Sequence, residues 1–154
     1  MEDTRKKHSD KQEKTIARYL GWKQISGSGS RPFAAGDIRG PQWLGECKTH
    51  ITSGNPIIFY FNVWDKIVDE AKAQFYQPVL FVDDGSQLVS KTLCLLDVTN
   101  IIESNFNECE VVDNKKSIRY NNVDSINPKF ISRNNSILCV MKLEEFKEFI
   151  ELGV

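Results

Sequence analysis

The sequence predicts a single α/β domain built on a mixed sheet, and three observations lead there. Its 154 residues are the size of one domain. Its composition, 40% hydrophobic and 27% charged with 5 Pro and 9 Gly, is globular; it excludes whole-chain disorder, collagen and a disulfide scaffold. Hydrophobic periodicity then runs helix, strands, helix, strand, strand, helix along the chain, which describes helices packed on a sheet.

Residues 1–10 are polar and read as a flexible tail, leaving 11–154 as one domain. A helix is expected from Lys11, because Ile16, Tyr19 and Leu20 fall at i, i+3 and i+4, and Gly21 supplies its stop. Trp22 to Ile25 reads as a short strand, and Ser26 to Pro32 as a loop. Ala35 to Arg39 and Trp43 to Thr49 read as two strands joined at the turn dipeptide Gly40-Pro41. Period two then puts Leu44, Glu46 and Lys48 on one face of the second strand.

Pro56 to Phe61 is apolar and leads into a helix from Asn62 to Phe75, where Val63, Ile67, Ala71 and Phe75 repeat every four residues and Asn62 is placed to cap. Pro78 to Val82 is a buried strand ended by Asp83-Asp84-Gly85, and Leu88 to Leu96 is another. Asp97 to Asn105 is expected as a short helix, and Asn105 to Asn135 as irregular chain with a strand near Ile118. Ser136 to Met141 reads as a strand and Leu143 to Leu152 as a closing amphipathic helix.

No apolar run approaches the roughly 18–20 residues that span a bilayer, so no membrane partner is expected. Cys47, Cys94, Cys109 and Cys139 stand far apart, without a Cys-x-x-Cys pair; that argues for reduced thiols and against a zinc site, and the expected compartment is the cytoplasm. Net charge is −1, but unevenly spread: residues 1–48 carry ten Lys/Arg against six Asp/Glu, and the remainder ten against fifteen. A polyanion would meet the N-terminal third first. Arg5-Lys6-Lys7-His8 is bracketed by Glu2, Asp3 and Asp10 and reads as a solvated terminus. The large aromatics Trp22, Trp43, Trp64 and Phe59 to Phe61 read as core or interface more readily than as base-stacking platforms.

The segment that carries chemistry is Gly36-Asp37-Ile38 followed, nine positions after Asp37, by Glu46-Cys47-Lys48. A hairpin that sets Asp37 opposite Glu-x-Lys gathers two carboxylates and an ammonium. Two carboxylates are hard oxygen ligands suited to Mg²⁺, which also accepts phosphate oxygens and keeps several waters. The Cys47 backbone carbonyl offers a further oxygen. Lys48 is placed to orient or deprotonate a water, or to hold a nonbridging phosphate oxygen. Arg31 and Arg39 flank the segment as candidate DNA phosphate contacts. His50 lies at the end of the strand and is assigned no role.

Gly-Asp-Ile…Gly-Glu-Cys-Lys resembles the motif of the PD-(D/E)xK nuclease superfamily. With the preceding Ser-Gly-Ser-Gly-Ser loop and the helix bearing Glu13, the segment is similar to the Holliday junction resolvase branch of archaea and some phages. The resemblance covers roughly Glu13 to Val82, under half of the chain, and implies a restriction-endonuclease-like mixed sheet flanked by helices. It implies Asp37 and Glu46 as metal ligands, Lys48 acting on the water, and Glu13 and Ser28 as auxiliary residues, with Ser26 and Ser30 as competing choices for the serine. It also suggests a polar residue on the following helix, with Gln74 the candidate beside Lys66 and Glu70. The implied cofactor is Mg²⁺, with Mn²⁺ as a substitute, and the implied partner is DNA, branched or four-way. A two-fold homodimer follows for an enzyme that cuts two strands symmetrically, and the residues from Phe59 to Trp64 are candidates for its contact. A general phage or restriction-type nuclease, and a catalytically inert binding module on the same scaffold, are the alternatives.

Overall fold

The computed structural model describes residues 2–25, 36–101 and 109–153. Its helices are α1 (Glu2–Leu20), α2 (Phe61–Ala73) and α3 (Leu143–Glu151). Its strands are β1 (Lys23–Gln24), β2 (Ile38–Gly40), β3 (Trp43–Lys48), β4 (Ile57–Tyr60), β5 (Gln77–Asp83), β6 (Thr92–Asp97), β7 (Glu110–Val111), β8 (Ser117–Tyr120), β9 (Lys129–Arg133) and β10 (Ser136–Lys142). Eight of these strands form one mixed sheet in the order β1-β2-β3-β5-β6-β10-β9-β7, and β4 pairs with β8 in a separate ribbon. The expected mixed α/β architecture is therefore present.

The connection from β3 to β5 runs through β4 and α2, and those two strands are parallel, with Glu46 beside Leu80 and Lys48 beside Val82. Such a crossover needs a helix to return the chain to the same end of the sheet. The strands from β5 through β6, β10 and β9 are joined antiparallel.

Alternation along the strands divides the core between the two faces of the sheet. On one face Leu44, Leu80, Val82, Leu93, Leu95 and Val140 pack under α2 and the β4–β8 ribbon, through Phe59, Trp64, Ile67 and Ile118. On the other, Cys47, Val79, Phe81, Cys94, Leu96 and Cys139 pack under α1 and α3, through Ile16, Ala17, Leu143 and Phe146. Trp22, Trp43 and Phe81 surround Phe146 edge-to-face, with ring centroids 5.1–5.9 Å from it. Trp22, Trp43, Trp64, Phe59 and Phe61 are all buried, so these five aromatics are core; between them Tyr60 is 51% exposed and Val63 half-buried. Cys47, Cys94 and Cys139 are buried free thiols. Among the described residues no helix is long and apolar enough to cross a membrane.

Several local expectations need correction. Residues 2–10, expected as a flexible tail, are the first turns of α1. They make tertiary contacts: the Gln87 side-chain amide donates to the His8 carbonyl and that of Gln24 to Asp10. Asn62 does not cap α2, which starts one residue earlier with Tyr60 at the cap position; the Asn62 carboxamide accepts from the adjacent Val63 amide instead. Val89–Lys91 is a 3₁₀ turn rather than the start of a strand. The short helix expected from Asp97 is absent over its described part, where β6 ends in turns after Asp97. Between Cys109 and Asn135 the chain contains three strands where one was expected, because pairing of β8 with β4, of β9 with β10 and of β7 with β9 overrides its poor local signal.

Candidate active site

β2 and β3 form the hairpin that builds the site, with Ile38 opposite Gly45 and Arg39 opposite Leu44. Gly36 starts it. Its φ is +77°, and a Cβ there would fall 2.8 Å from the Leu44 side chain, so a larger residue would clash and be strained. The turn it permits delivers Asp37 to β3: the Asp37 amide donates to the Gly45 carbonyl at 2.8 Å, and its Oδ2 accepts from the Cys47 amide at 2.9 Å. The acid just before β2 is thereby tied to the backbone between Glu46 and Lys48.

Glu46 and Lys48 project from the same face of β3, and the Lys48 Nζ lies 3.9 Å from Glu46 Oε1. The Glu46 side chain is only 12% exposed, whereas that of Lys48 is 54% exposed, so the lysine reaches solvent from a carboxylate that does not. Burial, hydrogen bonding to the Asp37 carboxyl and the Asp37 charge push Glu46 up to about 9. From α1, Glu13 faces the same group; burial and the Asp37 charge raise it to about 7, against a hydrogen bond from Gln24. Three carboxyl groups and one ammonium thus meet at this edge of the sheet.

The structure brings Asp37, Glu46, Lys48 and Glu13 together, as expected from the sequence. The Cys47 thiol is on the opposite face, buried and pushed well up by that burial, so the contribution of Cys47 here is its backbone. Arg39 is opposite Leu44 and lies over the Tyr76 ring at 6.0 Å, displaced along β2 from the carboxylates. Gln74 follows the end of α2, with its side-chain amide 3.5 Å from the Glu70 carbonyl. Ser28, with Ser26 and Ser30, and Arg31 lie outside the described residues.

Three further residues complete the arrangement. Glu70, from α2, adds its charge to the field on Glu46, and its Oε1 is buried with no hydrogen-bond partner. It is the residue of α2 that senses the site. Gln24 donates to Asp10 at 2.6 Å and to Glu13 at 3.3 Å, fixing the auxiliary glutamate from β1. Gln12 is 1% exposed and donates to the Lys48 carbonyl at 2.6 Å, which locks α1 to the end of β3. Gln12 had a sequence signal: it stands four residues before Ile16, a polar residue on the buried stripe of the helix.

The donor chemistry fits a hard divalent cation, because two adjacent carboxylates repel each other in a largely buried place that a cation would neutralise. Among the described residues no three His, Cys, Asp or Glu side chains form a metal-ligand group. A cation would therefore depend on Asp37 and Glu46 together with backbone or water oxygens, the ligand economy that suits Mg²⁺. Comparison with protein-family models, with curated proteins and with solved structures finds no match to this chain.

Proposed function

We propose that this chain is a metal-dependent endodeoxyribonuclease of the PD-(D/E)xK type, on a restriction-endonuclease-like sheet, acting on branched DNA in the manner of a Holliday junction resolvase. The observation that carries this reading is the convergence of Asp37, Glu46 and Lys48 across one hairpin, with Glu13 facing them from α1.

Asp37 and Glu46 would hold the metal, with the Cys47 carbonyl available as a further oxygen. When bound, Mg²⁺, or Mn²⁺ in its place, supplies a water of lowered pKa and positive charge against the phosphate oxygens. The chain itself orients the reactants. The Cys47 amide fixes one Asp37 oxygen, leaving the other for the cation. Lys48, largely exposed, offers N–H groups to a water or a nonbridging phosphate oxygen. Glu70 adds to the charge around Glu46 and Glu13 to that around Asp37, and Gln12 fixes the backbone under Lys48. Ser28 and Arg31 belong to this reading through the sequence motif alone. Cleavage in the cytoplasm, of host or phage DNA, by a two-fold homodimer completes the proposal.

The test is cleavage of a mobile four-way junction beside a linear duplex of matching sequence, in Mg²⁺ and in EDTA, with Asp37→Asn as control. Paired symmetric nicks on the junction alone, absent in EDTA and in the variant, support the resolvase reading. Cutting of both substrates keeps the nuclease and discards junction selectivity. Folded protein that cuts neither under Mg²⁺ or Mn²⁺ refutes the enzyme and leaves a binding module.

A further inference from the structure

A depression about 380 Å³ in volume lies between α1 and the segment that follows β3. Helix α1 lines it with Arg5, His8 and Ser9, and the segment with Thr49, His50 and Thr52. No carboxylate lines it. Asp83 is fully buried next to Thr49, behind the wall.

Both walls are held in place. The Asn55 amide donates to the Asp84 carbonyl at 3.0 Å, and the Asn55 side chain donates to the Thr52 carbonyl. Gly85 passes under this segment so closely that a Cβ would fall 1.8 Å from the Thr52 carbonyl oxygen. On the other side, Gln87 donates to the His8 carbonyl and Gln12 to that of Lys48, which ties α1 to the ends of β3 and β5. The His8 Nε2 is buried in the wall with no hydrogen-bond partner.

The depression is therefore lined by one arginine, two histidines, three hydroxyl side chains and Ile51, with the Thr49 hydroxyl donating to the His50 carbonyl at 3.4 Å. Such a group of donors suits a tetrahedral oxyanion. It begins one residue after Lys48, and a DNA strand carries a phosphate at every nucleotide. The geometry points to a phosphate-binding subsite, built by Arg5, His8, Thr49 and His50, that holds a backbone phosphate of the substrate strand next to the scissile one. This inference rests on the nuclease reading above. Contacts of this kind supply affinity and register without reading sequence.

The experiment measures binding of labelled duplex and four-way-junction DNA to the full chain in EDTA across a salt series. It compares wild type, Arg5→Ala, His50→Gln and the distant surface control Lys72→Ala. Each pocket variant is expected to lose about 5- to 10-fold in affinity with an unchanged Tm, and Arg5→Ala also to lower the salt slope by about one phosphate contact. The control is expected to match wild type. Wild-type affinity and slope in both pocket variants would overturn the subsite. A second arm titrates inorganic phosphate and follows the imidazole NMR signals of His8 and His50. A saturable shift that Arg5→Ala abolishes supports a phosphate pocket, and no shift refutes it. Saturable phosphate binding with DNA affinity independent of the pocket overturns the DNA phosphate in favour of a free anion. If the chain binds no DNA at all, the nuclease reading fails, and the phosphate arm alone decides the pocket.

Discussion

The Asp37 carboxylate accepts the Cys47 amide proton at 2.9 Å, so the acid that leads into β2 is held by the backbone joining Glu46 to Lys48 on β3. The bond makes the hairpin and the charged group a single unit: moving the register of β2 against β3 would separate the acids. It also places a negative charge against Glu46, the first element of the electrostatics predicted below.

Asp37→Asn keeps an oxygen able to accept from Cys47 but removes the charge. The variant is expected to fold normally and, under the proposed nuclease function, to lose cleavage by about 100-fold or more, since both metal binding and charge stabilisation would depend on that carboxylate. Circular dichroism and a cleavage assay in Mg²⁺ check the two halves. Wild-type cleavage by this variant would remove Asp37 from the mechanism.

Glu46 governs a pH dependence of stability. Its pKa in the folded chain is raised from 4.5 to about 9, so the folded state binds its proton more tightly than the unfolded chain does. The stability this provides is present at low pH and is lost as pH rises from the unfolded value through about 9. Glu13, raised to about 7, acts with the same sign over the lower part of that window. In EDTA the Tm is therefore expected to fall across this range. Glu46→Gln should flatten the decline, and Mg²⁺ should oppose it by favouring the ionised carboxylates. Thermal melts at a series of pH values, with and without the cation, read this directly.

Gln12→Ala removes the buried donor to the Lys48 carbonyl and leaves that carbonyl without its partner from α1. A loss of about 1–3 kcal/mol is expected in urea unfolding. Activity should fall further than the lost stability explains, because α1 also carries Glu13. Thr15→Ala, on the same helix but bonded only to the Lys11 carbonyl at its own helix surface, serves as the comparison and should cost little.

Gly36→Ala tests the turn that delivers Asp37. The positive φ and the close Leu44 side chain together predict a loss of about 1–3 kcal/mol, with a fall in cleavage that exceeds that of an equally destabilised core variant. Phe146→Ala is a suitable reference: it opens a cavity under three aromatic rings on the opposite face from Glu46 and should cost about 3–5 kcal/mol.

Much of the architecture was legible because its signals are local. The stripe of Ile16, Tyr19 and Leu20 marks α1, the four-residue repeat through Ile67 and Ala71 marks α2, and the alternation in β3 puts Glu46 and Lys48 on one face. The start of α1 was not legible. Residues 2–10 have no apolar stripe, and their helix is held by polar bonds to Gln24 and Gln87, which are distant in sequence. Strands β7 and β9 escaped notice for a related reason: they are short segments in an Asn-rich stretch, β9 recruited by the edge of β10 and β7 by that of β9.

By itself the sequence determined the mixed α/β class and the pairing of Asp37 with Glu46 and Lys48, since periodicity and a two-strand turn are properties of neighbouring residues. Only the tertiary structure decided that Glu70 faces Glu46, that Gln12 secures the Lys48 carbonyl, and that Arg5 and His8 meet Thr49 and His50 around one depression. Those relations join residues as much as 45 positions apart, between elements that meet only when both faces of the sheet are covered. Burial then sets the chemistry: the carboxyl of Glu46 is pushed up to about 9 by its removal from water and by the neighbouring Asp37.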